Sequence, residues 1–283
     1  SFQMNSILKC FFFFFVLMLP VSAQDLDRSI LGKILKKKEL IVSVAANYEP
    51  YYIKNPKPGY PGFEVEIAQK YAEFLDVKLT KVVPLNNFTE HAEAVIAGKI
   101  DLALGNSMSL VRAKQVYFSE PYVTVSIAGL VNKIILPQEQ EGEVLLTKSY
   151  RSLLDIKNLA RLNIGVKDKT SNADYMRSNF SQFPIQVFPS DTLGLAALNE
   201  NKVNTYIADN LFLEGQIQKD PSLKSRYLPL LAPVIDKHLC IAFKKYDLQL
   251  QTSLNLFVRE MKRTGEISRI KDRYFLSNEW VVK

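Results

Sequence analysis

Short apolar runs alternate along this chain with stretches whose apolar residues recur every three or four positions, the pattern of strands interleaved with amphipathic helices. Residues 24–39 hold a short lysine-rich helix, and Leu40–Ala46, all β-branched, long apolar or small apart from Ser43, predicts a buried strand. A turn-rich segment, 54–62, leads into Phe63–Leu75, where positions 63, 67, 71, 74 and 75 form one apolar stripe of a helix. Val77–Val83 predicts a second strand and Glu90–Ala97 a second helix. Gly98 ends that helix before a third strand that runs to Gly105. Strand, helix, strand in this order implies a mainly parallel sheet with right-handed crossovers.

Val123–Val131 is another apolar strand, and a linker of Glu, Gln and Pro follows at 137–143. Leu153–Leu159 predicts a short helix, Leu162–Val166 a strand, and Thr170 or Ser171 the cap of the next helix. Gln186–Phe188, Thr192–Asn199 and Val203–Ala208 continue as strand, helix and strand, and the lysine turn at Lys202 echoes that at Lys99. Two similar α/β lobes are therefore expected, 24–125 and 126–235, with a return to the first lobe over 236–283. The chain passes back through Val234 to Phe243. Helices near Asp247–Arg263 and Glu266–Phe275 finish it, separated by Gly265, with Leu250, Leu254, Phe257, Val258 and Met261 as the buried stripe of the first.

The amino-terminal region departs from this pattern. Ser1 to Gln3 precede Met4 and are taken as a cloning scar. Lys9, an apolar run from Cys10 to Leu19, and Val21-Ser22-Ala23 then have the form of a signal peptide cleaved after Ala23, giving residues 1–23 as scar plus signal. The apolar run is about half the ~20 residues that a membrane-spanning helix needs. Of 36 basic and 29 acidic residues, cleavage removes only Lys9, so the exported chain carries +6 instead of +7. Charges are interleaved apart from Lys36–Lys38, so a solvated surface is expected and nucleic acid is not an expected partner. Cys10 leaves with the signal, and Cys240 stays as a lone thiol in apolar surroundings, a packing residue. His91 and His238 are far apart, no His or Cys cluster has metal-ligand spacing, and no phosphate-cradling loop or nucleophile elbow occurs. No metal or other cofactor is expected.

The segment from Ser107 to Tyr122 carries the candidate chemistry. Gly105 to Ser109 fall at the carboxyl end of a strand, where open α/β sheets bind ligands, and Arg112 follows directly. Its guanidinium is a planar fork suited to a carboxylate, with the Ser107 and Ser109 hydroxyls at hand. A solvated surface arginine is the alternative. In the second half, the helix starting at Thr170 or Ser171 leaves free N–H groups and a positive dipole end to face an anion.

This segment resembles the signature of the extracellular solute-binding proteins that deliver polar amino acids to ABC transporters. In that family a hydroxyl residue lies five positions before a carboxylate-binding arginine, and a Phe-Ser-acidic-Pro-Tyr run follows. Ser107, Arg112 and Phe118 to Tyr122 match it. Tyr60–Ile67, Leu154–Leu159 with Ile164–Val166, and Gly265–Ile267 with Lys271–Phe275 extend the resemblance over the exported chain in the family's order. It implies a two-lobed type II periplasmic-binding-protein fold, two mainly parallel sheets joined by two hinge strands, closing on an amino acid in the periplasm and docking as a monomer on a membrane permease.

The family's ammonium-holding carboxylate falls on Asp209, which on local pattern is equally a helix cap. Its aromatic walls fall on Tyr48 and Phe88, and Ser107, the Gly105 carbonyl, and Thr170 or Ser171 complete the shell. Two departures bear on specificity. Ala45 stands where relatives that bind cationic side chains often carry an acid, and Lys167 and Lys169 occupy the turn where Lys169 replaces a usual glycine. A lysine facing the ligand favours a polar or acidic side chain. Two alternatives stay open: an enzyme on the same scaffold, such as a cyclohexadienyl dehydratase, with Glu49 and Lys167 as the suggestive groups, or the ligand-sensing part of a lyase or receptor.

Overall fold

The computed structural model describes residues 28–137 and 150–283. The expected signal peptide, its cleavage site, Cys10 and most of the 137–143 linker lie outside the described residues. Helix α1 spans Ile30–Lys37, capped by the Ser29 hydroxyl, and ends where Lys38 turns left-handed at φ 57°, so Glu39 already belongs to the first strand rather than to the helix.

Strand β1, Glu39–Ala45, turns Leu40, Val42 and Val44 into the core. Helix α2, Phe63–Phe74, and helix α3, Phe88–Ile96, connect it to the parallel strands β2, Lys78–Leu85, and β3, Leu102–Ser107. After the two-residue strand β4, Tyr117–Phe118, comes β5, Val123–Asn132, the longest strand described. The second half repeats the plan: β6, Ile164–Lys167; α4, Ser171–Asn179; β7, Ile185–Phe188; α5, Asp191–Asn199; β8, Thr205–Asp209; and α6, Asn210–Lys219. A short helix α7, Leu223–Arg226, and β9, Tyr227–Leu230, precede β10, Asp236–Phe243, and the closing helices α8, Leu248–Arg263, and α9, Glu266–Phe275.

The strand order is β2-β1-β3-β10-β5-β8-β6-β7. Pairing is parallel within each half, β1 with β2 and β3, β6 with β7 and β8, and antiparallel where β10 and β5 enter. Residues 123–126 of β5 pair with β10, whereas residues 127–131 pair with β8, so one strand serves both half-sheets. The two apolar runs that the sequence distinguished as outward and return passages thus lie side by side. The expected helix over 153–159 is a single 3-10 turn, Leu153–Ile156. Strand β9 escaped the sequence because Pro229 interrupts it, a residue tolerated on an edge strand, and among the described residues β9 pairs with β5 alone.

The carboxyl-terminal helix α9 is tied to α2 by charge as well as by packing. Glu66 of α2, buried, accepts from Arg273 at 2.7 Å and from the Tyr274 hydroxyl at 2.9 Å. Two of the family-like motifs, around Tyr60–Ile67 and Lys271–Phe275, therefore meet in space. Cys240 is fully buried, and burial pushes its thiol up to about 12, consistent with a packing role.

Gly62 opens α2 at φ +117°, and a Cβ there lies 2.6 Å from the Tyr51 carbonyl oxygen. Backbone strain and collision with main chain both oppose any larger residue. Gly62→Ala is expected to lower stability by about 3 kcal/mol in urea unfolding, and a loss below ~1 kcal/mol would contradict this close approach.

Candidate functional site

The parallel strands of the two halves point their carboxyl ends at a common cavity of about 110 Å³. That is several times the ~10–15 Å³ one water requires, and the space suits a small molecule. Tyr48, Phe88, Gly105, Ser107, Arg112, Lys167, Thr170, Ser171 and Asp209 all line it. The residues that the family resemblance assigns to the ligand shell are thus neighbours in space, whereas Ser109 and Glu49 lie outside this lining.

Arg112 lies just past β3 in a 3-10 turn, and its Nη1 donates to the Ser107 carbonyl at 2.9 Å and to the Ser107 hydroxyl at 2.7 Å. Its guanidinium carbon sits 4.4 Å from the Phe88 ring centroid, a cation–π contact with that wall. Burial lowers the Arg112 pKa from its ordinary value, which leaves the group cationic. Among the described residues Nε and Nη2 have no hydrogen-bond partner, so that edge of the fork is unengaged. Ser109, by contrast, uses its hydroxyl to accept from the Arg112 N–H at 3.2 Å and does not line this cavity.

Asp209 ends β8 at the N-cap position of α6, yet its side chain makes no capping bond. It turns instead into the cavity. Its Oδ2 accepts from the Tyr48 hydroxyl at 3.1 Å, and its Oδ1 accepts from Lys237 Nζ at 2.6 Å and from the Asn172 amide at 3.2 Å. Of the two local readings of this aspartate, geometry removes capping. Tyr48 stacks on Phe212 at 4.4 Å and on Tyr51 at 4.8 Å, so its ring faces are taken and it presents its hydroxyl. Burial, then the Asp209 charge, raises that hydroxyl well above its ordinary value, which keeps it a donor.

In the second half Thr170, not Ser171, caps α4: its hydroxyl accepts from the Ala173 N–H at 3.2 Å and donates to the Lys167 carbonyl at 2.7 Å. The first-turn N–H groups of Ser171 and Asn172 stay free of intrahelical partners. Lys169 adopts φ +56°, which explains why a glycine is usual at this place of the turn. Both lysines line the cavity, and among the described residues Lys167 has no ion-pair partner.

Sequence reasoning missed three groups here. Lys237 opens β10 within a polar triplet, Asp236 to His238, at the head of an apolar strand, a break in pattern that marks an exception to burial. Asp191, buried in the first turn of α5, accepts from the Tyr206 hydroxyl at 2.8 Å, and burial pushes its carboxyl up to about 6. His91 is buried against the Ser43 hydroxyl at 2.6 Å, and burial lowers it to about 4, so it is neutral. Glu49, suggested as a catalytic group, is not at the site: it pairs with Lys219 at 2.6 Å outside the cavity lining.

Residues 40–277 match the sequence model of the bacterial extracellular solute-binding proteins, family 3. The chain belongs to that family. Among relatives of this family-3 protein, the L-cystine-binding protein TcyJ of Escherichia coli is 21% identical over 251 residues, covering 88% of this chain and 87% of TcyJ. A cyclohexadienyl dehydratase of Pseudomonas aeruginosa is 34% identical over 210 residues, covering 73% of this chain and 72% of the enzyme. The crystal structure of a putative ABC-transporter binding component from Wolinella succinogenes, complexed with lysine, superposes with a TM-score of 0.73 at 24% identity, over 86% of this chain and 98% of that one. Its likeness establishes the type II periplasmic-binding-protein fold for this family-3 member.

Behind the cavity wall, Gly105 at φ +76° packs against the Glu64 carboxylate, with space for no Cβ. The Gly105 N–H donates to the Tyr122 hydroxyl at 2.8 Å, which donates to Glu64 Oε1 at 2.6 Å, while Oε2 has no partner among the described residues. Burial pushes Glu64 up to about 7 from its ordinary 4.5. A carboxyl that holds its proton more tightly when folded favours the native state below pH 4.5 and loses that advantage as pH rises through 7. Glu64→Gln is therefore expected to match the wild type near pH 4.5 and to exceed it at pH 8 by up to about 3 kcal/mol. Thermal melts across that range test this, and a gain independent of pH would refute it.

Proposed function

We propose that this protein binds a free amino acid in the periplasm, polar or acidic side chains being preferred, and delivers it to an ABC permease as a monomer. The observation that carries this reading is the pairing of opposite charges on one cavity: Arg112 beyond β3 of one half-sheet and Asp209 at the end of β8 of the other. The open edge of the Arg112 fork takes the ligand's α-carboxylate, with Ser107 and the first-turn N–H groups of α4 beside it. Asp209 attracts the amine, Phe88 shapes one wall, the Tyr48 hydroxyl borders the space beside Asp209, and Lys167 meets an oxygen of the side chain. The lobes 24–125 with 236–283, and 126–235, close as hinged bodies over the guest. A ligand that touches both lobes only when they are shut shifts the population toward the shut form, and that form is what the permease recognises. The family's extracellular character and the signal-like residues 1–23 support export.

The relatives that support amino-acid binding are the cystine-binding protein and the lysine complex described above. The preference for an acidic or polar side chain is supported by Lys167 and Lys169 on the cavity and by Ala45, which lines it without a charge. A second reading, a dehydratase on this scaffold, is favoured by the 34% identity to the Pseudomonas aeruginosa enzyme and by Asp191, a buried cavity carboxyl poised near 6 as a proton donor. Loss of prephenate followed by absorbance decides between the two: turnover abolished by Asp191→Asn establishes the enzyme, and no turnover by the wild type removes it. For the binding reading, Arg112→Ala is expected to weaken the preferred amino acid about a hundredfold or more in calorimetry. Binding within a few-fold of wild type would place the ligand elsewhere.

A further inference from the structure

Asp209, the carboxylate proposed to hold a ligand's amine, is already engaged by the protein itself. Lys237 Nζ lies 2.6 Å from its Oδ1 and donates to the Asn172 side-chain carbonyl at 2.8 Å, closing a triangle with the Asn172 amide. The Lys237 side chain is 14% exposed and that of Asp209 9%, so this is not a solvated surface pair. The pair also spans the junction of the half-sheets: Lys237 sits opposite Val125 and Asp209 opposite Ile127 of the shared strand β5.

A ligand amine that reaches Asp209 must share it with Lys237 or displace Lys237. Sharing sets two ammonium groups on one carboxylate, and like charges at that separation repel strongly once water is excluded. Displacement leaves a lysine largely buried with only the neutral Asn172 for a partner. A guest without an amine incurs neither cost. Once Lys237 neutralises Asp209, the cations Arg112, Lys167 and Lys169 face only Asp191 on this cavity, a surplus of positive charge that calls for more than one carboxylate.

We infer that Lys237 is a specificity-determining residue that stands in for the ligand's amine at Asp209, so that the site accepts small diacids whether or not they carry an α-amino group. One carboxylate of such a guest occupies the open edge of the Arg112 fork and the other the unpaired Lys167. This deepens the ligand-binding reading of the cavity and rests on it. The class comprises 2-oxo and 2-hydroxy dicarboxylates together with the corresponding acidic amino acids.

Calorimetry on the full exported chain with matched probes tests the inference: L-glutamate against 2-oxoglutarate, L-aspartate against oxaloacetate, and L-glutamine as the neutral control. The wild type is expected to bind the two members of at least one pair within about tenfold of each other, and more tightly than L-glutamine. Lys237→Met is expected to weaken the amine-free diacid by tenfold or more and to improve L-glutamine, because Asp209 is then free, whereas Lys237→Arg keeps the wild-type order. If amino acids bind in an Arg112-dependent manner while neither oxo acid does, Lys237 has no such role although the amino-acid reading survives. If nothing in the panel binds, both fail. Should Lys237→Met not fold, as judged by its melting curve, the pairwise comparison in the wild type and Lys237→Arg decides alone.

Discussion

The shared strand β5 is the constraint from which the site follows. Parallel strands joined by helices all point one way, and a single half-sheet therefore exposes its carboxyl ends at one edge. Splicing β10 and β5 antiparallel between two such half-sheets turns the edges toward a common space. Residues 123–126 and 127–131 pair with different partners, so the junction is made by continuous backbone hydrogen bonding rather than by side-chain contact alone. Gly105, Ser107, Lys167 and Asp209 meet for that reason, although about a hundred residues separate the first from the last.

Burial of charge is managed differently on the two sides of the cavity. Arg112 is held by a carbonyl, a hydroxyl and an aromatic face, none of which carries a charge, so its own charge remains available. Asp209 is matched to Lys237 and saturated by two further donors. A buried carboxylate needs such partners because desolvation is costly. Burial raises the pKa values of Asp191 and Glu64. The aromatic stack from Phe212 through Tyr48 to Tyr51 and Phe275 adds an apolar bridge between α6 and α9 beneath this polar layer.

Much of this was legible in the chain. Period-2 and period-3.6 patterns are local, and they placed β1, α2, β3, β8 and α8 within a few residues of where they lie. Arg112 stood out by its place after a strand's carboxyl end, where a solvated surface arginine was the local alternative until the family resemblance favoured a ligand role; the resemblance also added Asp209, Tyr48 and Phe88, while the α4 start was read from its capping residues. Lys237 did not stand out, since a lysine at the head of a strand looks like a solvated end until its neighbour across the sheet is known. Asp191 passed as a first-turn helix acid, and Glu49 looked catalytic only because the partner that claims it, Lys219, comes 170 residues later.

By itself the sequence determined the alternation of strand and helix, the two-fold repetition of that plan, and the residue types available at the strand ends, because these depend on spacing along the chain. Only the tertiary structure decided which charges neutralise one another. Ion pairing depends on distances of a few ångströms between residues far apart in sequence, and these were set when β10 was inserted beside β5. Thus Asp209 could be found from the chain, but that Lys237 already holds it could not.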